Sequence, residues 1–122
     1  MLSPWILRDE DIAGSIKLHP DYGGQYGIPI NVVPSNETMR SITFDQYASE
    51  SDPGPYPFPD PTIARIEGGD PANCSGDCHM IVVQQGTCML YEGWACSNTG
   101  GQWVCGNGAK WDLKKVAYGQ RK

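Results

Sequence analysis

No run of roughly 18 or more consecutive apolar residues occurs in the chain, so no stretch reads as a transmembrane helix. The opening MLSPWILRDEDIAG has no basic stretch followed by an apolar one and does not read as a signal peptide. Sustained 3.6-residue periodicity is missing too, which argues against a helical domain. Apolar residues are scarce at 39%, thin for a core, while 15 glycines and 10 prolines favour short strands and many turns. Basic residues are few outside the C-terminus. Five of the nine, Lys110, Lys114, Lys115, Arg121 and Lys122, lie in the last 13 positions, and the net charge is −5. An acidic body of this kind makes nucleic acid an unfavourable partner, and the basic tail reads as a solvated terminus.

What the chain does have is cysteine. Five cysteines fall between Cys74 and Cys105. A small, loop-rich domain with a weak core gains about 2–4 kcal/mol from such a staple, and that usage points to a secreted protein. With 122 residues, one domain is expected. The divisions are an N-terminal extension at 1–17, a β-rich domain at 18–113 and a basic tail at 114–122. The chain reads as a mature secreted domain or a fragment of a longer secreted protein.

The organising stretch is Cys78 to Asp112, which reads as two successive hairpins. Gln85-Gly86 lies midway between two apolar runs, and Gly100-Gly101 between two runs bearing tryptophan and cysteine. A two-residue turn at Gln85-Gly86 sets Val83 opposite Cys88, Ile81 opposite Leu90 and His79 opposite Glu92. A turn at Gly100-Gly101 sets Cys96 opposite Cys105, a good disulfide candidate. Cys74 can reach either Cys78 or Cys88. The local choice is Cys74–Cys78, leaving Cys88 free and packed opposite Val83. A metal set of Cys74, Cys78, His79 and Cys88 lacks the paired short spacings of zinc ribbons, so no metal and no cofactor is expected.

Before these hairpins, Asp9 to Asp11 suit a short helix start, Trp5 packs on the body, and HPDYGG at 19–24 is a turn-rich loop with His19 bonded to backbone. Residues 28–33 (IPINVV) and 40–47 (RSITFDQY) read as strands paired in a meander, with Ile42 and Phe44 on one face. Five prolines in nine positions, from Pro53 to Pro61, impose an extended loop. That loop either straps one end of the sheet with Tyr56 and Phe58 or forms a ligand-facing rim with its carboxylates. TIARIE at 62–67 reads as a short strand. The fold class is mostly β, a small antiparallel sandwich or open barrel with Pro/Gly-rich loops.

Several residues are candidates for chemistry. A carboxylate beside an imidazole fixes its tautomer and raises its basicity, which singles out His79 with Glu92, against an ordinary cross-strand pair. Asp45, Glu50, Asp52, Glu67 and Glu92 include possible acid and base partners of a glycosidase-like site. Trp94 and Trp103 share a face of the second hairpin, with Trp111 further on, offering flat surface for sugar rings. Tryptophan also fills the core of a small sandwich, and at least two of the three are expected there.

The order LHPDYG, GIPINVV, SESDPGPYPFP, IEGG, DCHMIVVQQGTCMLYE and GAKWDL resembles a family of secreted bacterial proteins without a characterised reaction, over residues 18–113. The resemblance implies an exported protein, in some members beside carbohydrate-active modules. It places His79, Glu67 and Asp52 within shared motifs. After Trp111-Asp112-Leu113 the family pattern continues into a polar segment bearing Arg and Trp, and the chain from Lys114 onward does not follow it. A missing strand there would expose a sheet edge.

The expected function is a secreted, non-catalytic module binding extracellular polysaccharide or cell-surface glycan through Trp94, Trp103, Tyr56 and Asp60. The alternative is a hydrolase- or lyase-like enzyme using His79, Glu92 and one of Asp52 or Glu67. A third possibility is a truncated structural domain without a ligand.

Overall fold

The computed structural model describes residues 27–117. The expectations for Trp5, residues 9–11 and His19 lie outside the described residues. The described residues form seven strands: β1 (Ile30–Val33), β2 (Ile42–Phe44), β3 (Met80–Gln84), β4 (Met89–Trp94), β5 (Ser97–Thr99), β6 (Gln102–Cys105) and β7 (Asn107–Asp112). A short helix, α1 (Leu113–Ala117), follows β7. The strands form a four-stranded sheet in the order β1-β3-β4-β7 and a three-stranded sheet in the order β2-β6-β5. The two sheets pack together as a small sandwich, not a closed barrel, and each contains one parallel pair.

The second hairpin has the register its turn dictates. Gly100 and Gly101 both take positive φ, 63° and 87°, as a tight two-residue turn requires. Asn98 then faces Trp103 and Ser97 faces Val104, and the cysteines just beyond are bridged as Cys96–Cys105. Cys74–Cys78 is the second disulfide.

The first hairpin is slipped by two residues from the expected register. Val83 faces Leu90 and Ile81 faces Glu92, so the turn spans 85–88 and Cys88 is exposed within it instead of packing on Val83. The cause is local. Thr87 Oγ1 donates to Gln84 Oε1 at 3.0 Å and accepts from Met89 N at 3.3 Å, closing a wider turn. A slip of two leaves every side chain on its expected face.

The meander of the first two strands is not formed. β1 runs parallel to β3, and β2 runs parallel to β6 in the other sheet. Between them Arg40 exchanges backbone hydrogen bonds with Tyr56 (2.8 and 2.9 Å), so the segment after β1 is tied to the proline-rich stretch. The sandwich is therefore mixed, not antiparallel. Residues 62–67 form no strand either. Asp60 O accepts from both Ile63 N and Ala64 N, while its carboxylate accepts from Thr62 N and Oγ1, which curls the chain into a turn. The Asn31 side chain then holds Arg65 through its backbone N and O, both at 2.8 Å.

The core lies between the sheets and is built around the proline-rich segment. Tyr56 and Phe58 are wholly buried and meet edge to face at 5.5 Å, and Phe58 meets Trp103 in the same way at 5.4 Å. Polar tips are satisfied by the strap itself: Tyr56 OH donates to Asp52 O and Trp103 Nε1 to Pro59 O. Arg40 reaches in to donate to Phe58 O. Gly93 and Gly108, cross-strand partners, form the floor beneath this cluster. A Cβ at Gly93 would come within 2.5 Å of Cys96 Sγ, and one at Gly108 within 2.7 Å of Tyr56 Oη.

Candidate functional site

Strand alternation assigns Met80, Val82, Tyr91, Gly93 and Gly108 to the inner face of the four-stranded sheet and their neighbours to the outer face. Successive registers align the outer residues in rows. One row runs Val32, Val83, Leu90, Trp111, and the next Ile30, Ile81, Glu92, Ala109. Val32 is 61% exposed and Trp111 45% exposed. The β4–β7 pairing ends on this face with Trp94 opposite Asn107. The result is a largely apolar face, with Leu90 nearly buried in it and one carboxylic acid in its midst.

At its margin stands His79. Its Nδ1 lies 2.7 Å from Glu67 Oε1, and the same oxygen accepts the His79 backbone N–H at 3.1 Å. Glu67 N in turn donates to His79 O at 3.1 Å, so loop and strand start are clamped together. An ionised Glu67 only accepts, so in the neutral imidazole Nδ1 carries the proton and Nε2 is the acceptor. The expected His79–Glu92 pair is thus replaced by His79–Glu67, because the register slip sets Ile81 opposite Glu92.

Glu92 remains solvent-exposed at its tip, yet densely packed neighbours desolvate it and push its carboxyl above the ordinary range. The Trp111 side-chain hydrogen bond and the nearby His79 pull the other way. Trp94 is also edged by a carboxylate, with Nε1 3.3 Å from Asp77 Oδ1. Its ring packs on Tyr47 at 6.0 Å between centroids, over Gly106, where a Cβ would fall within 2.7 Å of the indole.

His79, Glu67 and Glu92 therefore share one region, and Asp52 does not join them. Asp52 N donates to Gly108 O and its carboxylate accepts Lys110 N at 2.8 Å, extending the free edge of β7. Trp94 and Trp103 do not share a face. Ala95, at φ 57°, turns the chain between the sheets, so Trp94 stays in the four-stranded sheet while Trp103 points inward from the other and is 1% exposed. Of the three tryptophans, Trp103 alone is buried, against the expectation of two. Tyr56 is buried in the same core, and Asp60 is spent on its turn. Neither forms a rim. Tyr47 is the residue that motif reasoning passed over. Trp111, named from the sequence only as lying further on, gains its place beside Glu92 once Asn107–Asp112 is read as a strand following the second hairpin.

Among the described residues no group of three or more His, Cys, Asp or Glu is placed to hold a metal ion. No helix among them is long and apolar enough to cross a membrane. Compared with known protein families, with curated proteins and with solved structures, the chain matches none.

Proposed function

We propose that the protein is a secreted polysaccharide-binding module whose ligand lies across the outer face of the four-stranded sheet. The observation that carries this reading is Trp111, 45% exposed in a row of apolar side chains on the outer face of the sheet. Sugar rings present apolar C–H faces, and an accessible indole beside aliphatic surface is the complement they need. Trp94, with Tyr47 against it, extends the aromatic surface, and His79 and Glu67 supply hydrogen-bonding groups at the margin. Two disulfides suit an oxidising, extracellular setting.

A second reading keeps the same residues as an enzyme. The His79–Glu67 pair offers an oriented base, and Glu92, with its raised pKa, an acid.

The test is retention on insoluble cellulose, chitin and xylan by wild type, Trp111→Ala and Trp94→Ala. Wild type is expected to be retained, and each variant to bind about 3–10-fold more weakly, the worth of one stacked ring. Full retention of Trp111→Ala, or no retention of wild type, overturns the proposal. Release of new reducing ends by wild type, lost in His79→Ala, replaces it with the enzyme reading.

A further inference from the structure

We infer that the glycan taken up by this face carries free amino groups, as in a polyglucosamine chain, and that Glu92 receives its ammonium. The inference rests on the polysaccharide-binding reading and narrows it to a substrate class.

The charge of the surface argues first. Neither outer row contains Lys or Arg, while Glu92 lies within one and Glu67 and Asp77 lie beside it. His79 is already joined to Glu67, and Arg65, held through its backbone by Asn31, is engaged as well. Lys110 belongs to the inner face, its Nζ 5.5 Å from the centre of the Tyr56 ring, and Lys114 and Lys115 follow on α1. A uronic or sulfated polymer would meet like charge here, on a protein of net charge −5.

Glu92 argues second. Glu92 is exposed to a ligand on an otherwise apolar pair of rows, opposite Ile81 and Ala109, where its charge is partly desolvated and the Trp111 side chain satisfies only part of it. A neutral hydroxyl would add an ordinary hydrogen bond. An ammonium would add a charge-assisted one and neutralise the carboxylate as water is displaced. The rings argue third: an ammonium held at Glu92 lies beside Trp111, and indole is the best aromatic partner for a cation. Stacking, charge and hydrogen bonding then converge on one ligand group.

The experiment is titration calorimetry with two hexasaccharides of the same linkage, glucosamine and N-acetylglucosamine, at a mildly acidic pH where the sugar amines are protonated. A galacturonic acid hexamer is the anionic arm. Wild type is expected to bind the amino hexamer about tenfold more tightly than the acetylated one, the worth of one charge-assisted hydrogen bond, and the anionic hexamer most weakly. Glu92→Gln is expected to erase the difference between the first two, and Asp70→Asn, in a turn joined through Pro71 to the other sheet, to leave it intact. Equal affinity of wild type for both hexamers, each lost in Trp111→Ala, overturns the amino-sugar assignment and leaves the polysaccharide reading standing. A preference that falls equally in Asp70→Asn and Glu92→Gln is general attraction to an acidic protein and also overturns it. No binding of any hexamer overturns both.

Discussion

Two sets of aromatic rings lie on opposite sides of the four-stranded sheet. On the inner side, Phe44, Tyr56, Phe58, Tyr91 and Trp103 interlock, with centroids 5.3–5.9 Å apart at tilted or edge-to-face angles. On the outer side, Trp94 and Trp111 stand apart from that cluster, each edged by a carboxylate. The residue types are alike. What sorts them is strand alternation and the kink at Ala95, which sends Trp94 and Trp103 to different sides although they flank one cysteine-bridged hairpin. The inner rings form the core of the sandwich, and Trp111 lies outside it.

The largest expected effect comes from exchanging the sides. Trp103→Ala removes a ring that touches Phe58 and donates to Pro59 O, and should cost about 3–5 kcal/mol. Trp111→Ala removes an exposed ring and should stay within about 0.5 kcal/mol. Urea denaturation of both beside wild type measures the contrast. A Trp111→Ala protein as unstable as Trp103→Ala would break the division into structural and free rings.

The disulfides sharpen the same contrast at smaller scale. Cys96 and Cys105 are buried in the core against Gly93, whereas Cys74 is only half-buried and its bridge closes a shorter loop, with a sequence separation of 4 against 9. Removing the first bridge, as Cys96→Ser with Cys105→Ser, should cost about 2–4 kcal/mol. Removing the second, as Cys74→Ser with Cys78→Ser, should cost less, because loop entropy is smaller and one partner stays near solvent. Equal losses in thermal melts would deny the core pair its special place.

The features legible in the sequence were those with a local cause. Gly100-Gly101 demands positive φ twice, which fixes turn length, register and the Cys96–Cys105 bridge together. At Gln85-Gly86 the period of two gave the correct faces but not the pairing, because a threonine hydroxyl after the glycine widened the turn. The parallel partners of β1 and β2 lie too far along the chain for any local signal. The site was legible to the same degree. His79, Glu67 and Glu92 were each named, yet the carboxylate that grips the imidazole comes from a loop that reads as a strand end, not from the facing strand. Tyr56 and Trp103 offered the same cues as Trp94 and Trp111, and only packing between the sheets separates them.

The smallest effect concerns Glu92, whose carboxyl is held above its ordinary range by desolvation. Between the ordinary value and the raised one, the folded protein binds more protons than the unfolded chain, so stability falls as pH rises through that window. Below the window both states are protonated and the penalty is absent. Above it the penalty is fully present and constant. Glu92→Gln cannot ionise, although its amide oxygen can still accept from Trp111. The stability of Glu92→Gln relative to wild type should therefore rise with pH across the window and then level off, as read from urea midpoints taken at a series of pH values. Asp60, whose carboxyl is held below its ordinary range by Thr62, gives the opposite slope, since protonation on acidification breaks a contact that the unfolded chain lacks. A pH-independent difference between Glu92→Gln and wild type would mean that the outer face leaves this carboxylate as well hydrated as it is in the unfolded chain. The surface would then lack the apolar crowding on which its contrast with the inner face depends.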